Sequence, residues 1–288
     1  MMSYADLLQA RDGAKATVAD VACPWCASQH SDRGAKRKVL RTWFEQDGVI
    51  SFNCVRCGER GQVEPDGKHH ADPPPAQPDD GNERKRKIAK AADLWRKRQP
   101  ITGTVAERYL RGRGIICPLP KTLGIVPAWR NVPPRMIAAL GLCEEPKPGV
   151  IVPPRKIEAV HLTYLKPDGS GKADIDSPKQ FRGVVVETLE DDSKIGKPIV
   201  LAPPNDLLGL AICEGIEDAL SAHQATGLGA WASGGATFLP ALAAVVPDCI
   251  EAVTIYAHDD KAGQDGARDL AGALDARGIE VLIEGLAS

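Results

Sequence analysis

Apolar and polar positions change period several times along this chain, and each change predicts a different element. Near the N-terminus, "KRKVLRTWFEQDGVISFN" reads as a strand hairpin with its turn at Asp47-Gly48. In "RKRKIAKAADLWRKR", residues 84–98, Ile88, Ala91, Ala92 and Trp95 recur at i, i+3, i+4 and i+7. That spacing predicts a helix with Lys and Arg on its other face, ended by Pro100. A second helix is expected over "TVAERYLRGRG", where Thr104 and Glu107 have capping-box spacing and Gly112 or Gly114 closes the run. Prolines break residues 115–200, and "AVHLTYL", "KPDG" and "KQFRGVVVETL" read as short strands joined by turns. From Leu208 the rhythm becomes regular. "LGLAIC", "GAWA", "AVTIY" and "IEVLIE" are strands, separated by helices over "GIEDALSAHQATG", "ATFLPALAAVV" and "GQDGARDLAGALDARG". Such alternation predicts an α/β domain built on a parallel sheet with covered faces.

Composition narrows the class only a little. The 288 residues are 43% hydrophobic and carry a formal charge of -2, so net charge alone does not announce a nucleic-acid binder. No long apolar span and no signal-peptide pattern occurs, which predicts a soluble cytoplasmic protein without membrane attachment. The stretch "HHADPPPAQPDDGNE", residues 69–83, is rich in proline and acids and has no period, the character of a flexible linker.

Cysteine spacing is more informative. Of eight cysteines, four form two tight pairs, Cys23-Pro-Trp-Cys26 and Cys54-Val-Arg-Cys57, with 27 residues between the pairs. Each C-x-x-C knuckle turns two thiolates toward one point, and two knuckles complete a closed tetrahedral Cys₄ zinc site. Four cysteines fill the shell, so His30 is not needed as a ligand. A closed shell makes this zinc structural.

The second chemical signal is "VTIYAHDDKAGQDGA". An apolar strand stops at His258-Asp259-Asp260, while the strand Leu208–Cys213 stops at Glu214-Gly215. In a parallel sheet both sets of acids lie at the carboxyl edge, where ligands gather. Adjacent carboxylates at a strand edge call for a cation, and an oxygen-only cluster suits Mg²⁺ with phosphate ligands. Side chains alternate along a strand, so His258 and Asp260 are expected on one face and Asp259 on the other, unless the strand has already ended.

These residues carry a resemblance. "AICEGIEDALSA" followed by "IYAHDDKAGQDGA" resembles the Toprim domain of bacterial-type primases, topoisomerases and some nucleases. Glu214, Gly215 and Asp218 match its first motif, and Asp260 with Gly263 matches its second. His258 stands where the family has the first acid of an Asp-x-Asp. "GTVAERYLRGRG" and "AVHLTYLKPDGSGKA" resemble the segment preceding Toprim in phage and plasmid primases of the primase-helicase type, and the Cys₄ unit resembles their N-terminal zinc ribbon.

The resemblance implies four parts: a zinc ribbon over 1–68, the linker over 69–83, a mixed α+β primase region over 84–200 and a Toprim domain over 201–288. It further implies RNA primer synthesis on single-stranded DNA from ribonucleoside triphosphates; the sequence stops just past the sheet, so a replicative helicase is expected either in trans or on a longer protein of which this chain is a fragment. Mg²⁺ or Mn²⁺ would be held by Glu214 and Asp260, with Glu214 also the candidate general base. Asp218 is expected to bond the motif loop, while Asp259 and His258 complete the candidate set. Arg108, Arg111, Arg113, Lys166, Lys172, Lys179, Arg182 and Lys261 are candidate template or nucleotide contacts, and Trp25, Trp43 and Phe52 are candidate stacking surfaces for unpaired bases. Two rivals use the same residues. A Toprim nuclease would hydrolyse a phosphodiester with these acids, and a catalytically weak single-stranded-DNA-binding replication factor would tolerate His258.

Overall fold

A computed structural model describes residues 3–11, 18–27, 36–44, 48–65, 69–70 and 81–285. The chain divides into two units, Met1–Asp80 and Gly81–Ser288.

In the first unit, α1 (Tyr4–Ala10) precedes five antiparallel strands. Ser3 and Asp6 form a reciprocal capping box at the start of α1. The strands are β1 (Val18–Ala22), β2 (Lys38–Phe44), β3 (Ile50–Cys54), β4 (Arg60–Val63) and β5 (His69–His70), hydrogen-bonded in chain order. The expected hairpin is the β2–β3 pair, whose register runs from Leu40 opposite Cys54 to Phe44 opposite Ile50. Gly48 in its turn has a φ of 87°, and Asp47 lies outside the described residues. Leu7, Leu40, Ile50, Phe52 and Val63 fill a small core beside the cysteines. Phe52, 2% exposed, belongs to that core and offers no stacking face, whereas Trp25 is 47% exposed. Polar composition at His69-His70 suggested linker, yet the pair bonds to the open edge of β4, where unpaired backbone groups accept a further strand. Residues 71–80 of the expected linker, and His30, lie outside the described residues.

The second unit opens with α2 (Gly81–Arg96), which buries Ala91 and Trp95 as its period predicts. It lies on an antiparallel sheet of β6 (Gln99–Pro100), β7 (Leu123–Val126), β8 (Arg135–Leu140), β11 (Ala159–Tyr164) and β12 (Lys179–Gly183), in the order β12-β11-β8-β7-β6. Between β6 and β7, α3 (Val105–Gly112) packs on the other face through Ala106, Tyr109 and Leu110. Its cap differs from the expected box. Thr104 bonds back to the Ile101 carbonyl, and Glu107 takes the Gly103 N–H instead. Two hairpins, β9 (Glu144–Lys147) with β10 (Val150–Val152) and β13 (Val186–Thr188) with β14 (Lys194–Gly196), complete this region.

The C-terminal sheet contains β15 (Ile199–Ala202), β16 (Gly209–Cys213), β17 (Gly229–Ala232), β18 (Ala252–Tyr256) and β19 (Glu280–Glu284), in the order β15-β17-β16-β18-β19. All neighbours are parallel except β15 against β17, an antiparallel edge strand that hydrophobic patterning had not separated from the preceding region. Helices α4 (Ile216–Thr226) and α5 (Lys261–Asp275) cover the sheet. The helix expected over 236–246 is replaced by two 3₁₀ turns, Ala236–Phe238 and Pro240–Val245. A continuous α-helix would set the Pro240 ring against the Ala236 carbonyl and lose a hydrogen bond, so the run breaks there. One core joins both sheets: Leu123, Met136 and Ala138 meet Leu201, Ala211, Ile216 and Leu220. No helix among the described residues is long and apolar enough to cross a membrane.

Candidate active site

The four paired cysteines converge. Their sulfurs lie within 4.8 Å of one another, with Cys23 to Cys57 and Cys26 to Cys54 each at 3.9 Å. A tetrahedral zinc with Zn–S of about 2.3 Å sets its sulfurs about 3.8 Å apart, so the quartet fits that ion. The second knuckle turns through Gly58, whose φ of 74° favours glycine. Burial raises the Cys23, Cys26 and Cys57 thiols, while backbone N–H groups of Cys57 and Arg56 bring Cys54 below the usual thiol value despite its burial.

The second site is the carboxyl edge of the C-terminal sheet. Strand β16 ends at Cys213 and delivers Glu214, which is 8% exposed. Its neighbour β17 is followed by Ser233-Gly234-Gly235, whose first two N–H groups bond to the Cys213 and Glu214 carbonyls at 2.9 Å. That pairing holds the Glu214 backbone in place. Strand β18 ends at Tyr256, two residues before His258, so the expected strand alternation does not reach the acids. Instead each side chain takes its place from the loop and the start of α5.

His258 bridges the first-motif acids. Its Nε2 lies 3.1 Å from Asp218 Oδ2, and its Nδ1 lies 3.5 Å from Glu214 Oε2. Asp260 is the N-cap of α5, where its Oδ1 accepts from the Gly263 N–H at 2.8 Å. Asp259 accepts from the Gln264 side chain at 3.2 Å. Glu214 Oε1 is different: it is buried and has no hydrogen-bond partner. A Cβ added at Gly263 would come within 2.6 Å of that oxygen and 2.8 Å of the His258 carbonyl, so the glycine leaves the space that the carboxylate occupies. A buried carboxylate oxygen without a donor is costly unless a cation completes it, and a hard divalent ion fits this donor. Glu214, Asp218 and Asp260 are not drawn together as tightly as the cysteine quartet. Among the described residues only the four sulfurs fall within 4.8 Å of one another as a group of three or more.

The candidate basic residues divide into paired and open ones. Arg108 donates to the Asp168 carbonyl at 2.9 Å. Arg111 pairs with Glu107 at 3.0 Å and also holds the Ile115 and Cys117 carbonyls. Lys166 lies 3.2 Å from Asp174, Lys172 3.0 Å from Glu217 and Lys261 2.7 Å from Asp265. Arg182 donates to the Phe181 carbonyl and the Gln180 side chain. Arg113 and Lys179 are exposed, and their side chains make no hydrogen bond or ion pair among the described residues.

Glu217 and Tyr109 escaped sequence reasoning. Glu217 is 7% exposed and accepts from the Tyr109 hydroxyl and from Lys172. Burial opposes its charge, yet the Tyr109 hydrogen bond and the Lys172 ammonium lower its pKa to about 2. A usable signal was its place in the first turn of a helix whose neighbours Ile216, Ala219 and Leu220 are apolar. A larger signal was charge segregation. Residues 81–183 hold 21 Lys and Arg against nine acids, and residues 184–288 hold five against 17.

Comparison with known proteins identifies residues 209–285 as a Toprim domain. Residues 85–188 match a domain of unknown function, DUF7146. Among solved structures, the chain is similar to the primase fragment of the bacteriophage T7 primase-helicase protein, with 13% identity and a TM-score of 0.38 over 81% of this chain and 88% of that one. It is also similar to the zinc-binding and RNA polymerase domains of the Aquifex aeolicus primase, with 14% identity and a TM-score of 0.39 over 96% of this chain and 74% of that one. No curated protein matches the sequence significantly.

Proposed function

We propose that this protein is a primase-like nucleotidyltransferase, joining ribonucleotides on a single-stranded DNA template at the carboxyl edge of the Toprim sheet. The observation that carries the reading is the buried, unpartnered Oε1 of Glu214 at that edge. Glu214 would hold a Mg²⁺ or Mn²⁺ ion, with Asp260 turned from its cap or Asp218 beside it as further ligands. Such an ion, when bound, neutralises charge on a transferring phosphoryl group. The chain's own part is orientation and charge. Glu214 is fixed by the Gly234 N–H on its carbonyl and by the room that Gly263 leaves. The exposed Arg113 and Lys179 lie in the basic half of the unit and offer contacts to phosphates of template or nucleotide. The Cys₄ unit supplies a zinc-stabilised ribbon, and its half-exposed Trp25 presents a face on which an unpaired base can stack.

A second reading is favoured by His258 and Asp260. The imidazole already engages Glu214 and Asp218, and Asp260 already caps a helix. A single-stranded-DNA-binding replication factor with little turnover would show both. The test is incubation with labelled ribonucleotides, single-stranded template and Mg²⁺ or Mn²⁺. Short RNA products support the proposal, template degradation points to a nuclease, and a mobility shift without either supports the binding factor.

A further inference from the structure

We infer that Glu217 is a positioning residue for the acidic edge, held by Tyr109 and Lys172 so that Asp218 and His258 stand where Glu214 meets them. The inference rests on the reading of that edge as the reaction site and adds residues to it.

Three segments far apart in sequence meet at one carboxylate. Tyr109 comes from α3, Lys172 from the turn before β12, and Glu217 from the first turn of α4. Tyr109 is 4% exposed and Glu217 7%, so the hydroxyl–carboxylate bond is closed to water. Lys172 adds an ammonium 3.0 Å from the same oxygen, Oε1. Burying a carboxylate is costly until its partners offset the lost hydration, and buried ion pairs can often be replaced by apolar residues without loss of stability. Such an ionic contact suits a place where one geometry must be selected.

Here that geometry concerns the next residue. Asp218 follows Glu217 in the same helical turn, and its carboxylate folds back against Gly215. Asp218 Oδ2 in turn meets His258 Nε2 at 3.1 Å, and the other ring nitrogen faces Glu214. The N-cap Gly215 gives α4 no side-chain cap, so its own sequence does not pin the first turn. Tyr109 and Lys172 pin it from outside. A shift of the turn moves Asp218, then His258, then the environment of Glu214. Outer partners that orient ligand carboxylates typically change metal affinity or activity by about 10- to 100-fold when removed.

The experiment uses the full zinc-loaded chain and the variants Tyr109→Phe, Lys172→Met, Lys172→Arg and Glu214→Gln. Mn²⁺ affinity is measured by electron paramagnetic resonance, kcat and KM for primer synthesis at saturating metal, and melting temperature alongside. Tyr109→Phe and Lys172→Met should each weaken Mn²⁺ binding about tenfold and lower kcat more than they raise the nucleotide KM. Lys172→Arg should recover most of what Lys172→Met loses. Wild-type Mn²⁺ affinity and kcat in Tyr109→Phe and Lys172→Met, with only a lower melting temperature, would overturn the inference. Glu214→Gln separates the two levels. If it loses Mn²⁺ binding and synthesis while the Tyr109 and Lys172 variants behave as wild type, only the positioning role is wrong. If it keeps both, the reaction site itself is elsewhere.

Discussion

Replacing Gly263 by alanine puts one methyl group against the centre of the proposed site. The new Cβ would lie 2.6 Å from Glu214 Oε1, 2.8 Å from the His258 carbonyl and 3.0 Å from His258 Cβ. Ordinary contact needs about 3.5 Å, so the carboxylate must retreat by roughly 1 Å or the start of α5 must rotate away. Misplacing a reacting group by about 1 Å can lower a rate about 100-fold. Stability should respond differently. Gly263 lies in the first turn of α5, where alanine is favoured over glycine by up to about 1 kcal/mol, which offsets part of the clash. Gly263→Ala should therefore melt within a few degrees of wild type while Mn²⁺ affinity and primer synthesis fall about 100-fold. The assay is parallel melting, Mn²⁺ titration and ribonucleotide incorporation on one preparation. Wild-type incorporation and Mn²⁺ affinity in Gly263→Ala would refute the placement of the Glu214 carboxylate in the reaction.

The cysteine quartet, the buried His161 and the His258 bridge each give a further outcome. Cys54→Ser should lower zinc from about one per chain toward none and destabilise the ribbon, read by metal analysis and proteolysis. Full zinc retention in that variant would contradict the Cys₄ assignment. His161 is 3% exposed with both ring nitrogens unpartnered, and burial, then the nearby Lys179 charge, push its pKa down to about 4. The unfolded imidazole gains its proton near pH 6.5 while the folded one stays neutral to about 4, so this stabilisation is complete above pH 6.5 and is lost as the pH falls toward 4. The difference amounts to about 3 kcal/mol. Denaturant melts from pH 7 to 4 should show a flatter profile for His161→Leu than for wild type, and identical slopes would contradict the assignment. His258→Asp places a third carboxylate between Glu214 and Asp218, so Mg²⁺-supported synthesis should rise relative to Mn²⁺-supported synthesis. An unchanged metal preference would remove His258 from the site.

What the sequence could show depended on how far each feature relies on distant contacts. The strands of the C-terminal sheet were legible because the inner strands β16 and β17, buried on both faces, are continuous apolar runs and β18 and β19 keep apolar stretches between helices, and the acids were legible because the runs of β16 and β18 stop at Glu214 and near His258. The cysteine quartet was legible because two C-x-x-C knuckles have the spacing that suits one tetrahedral metal site. The break at Pro240 was also written in the chain, although apolar content over 236–246 masked it. Strand β15 was harder, since Ile199–Ala202 pairs antiparallel with a strand about 30 residues away and nothing local sets that register. Side-chain placement at the site was the least legible. Asp260 takes a capping role because it stands three residues before a free helix N–H, and His258 leaves strand alternation because β18 ends at Tyr256. Glu217 showed locally only as an acid in an apolar helical turn, and its role was not legible because both of its partners, Tyr109 and Lys172, come from other segments.

The central claim is that Glu214 supports metal-dependent joining of ribonucleotides, and Glu214→Gln tests it most directly because it keeps the shape of the side chain and removes its charge. Wild-type and variant protein are incubated with labelled ribonucleotides, single-stranded template and Mn²⁺, and RNA products are counted beside template binding by mobility shift. Short RNA products from wild type, near-total loss in Glu214→Gln and unchanged template binding are the predicted result. Equal RNA synthesis by both proteins would contradict the account.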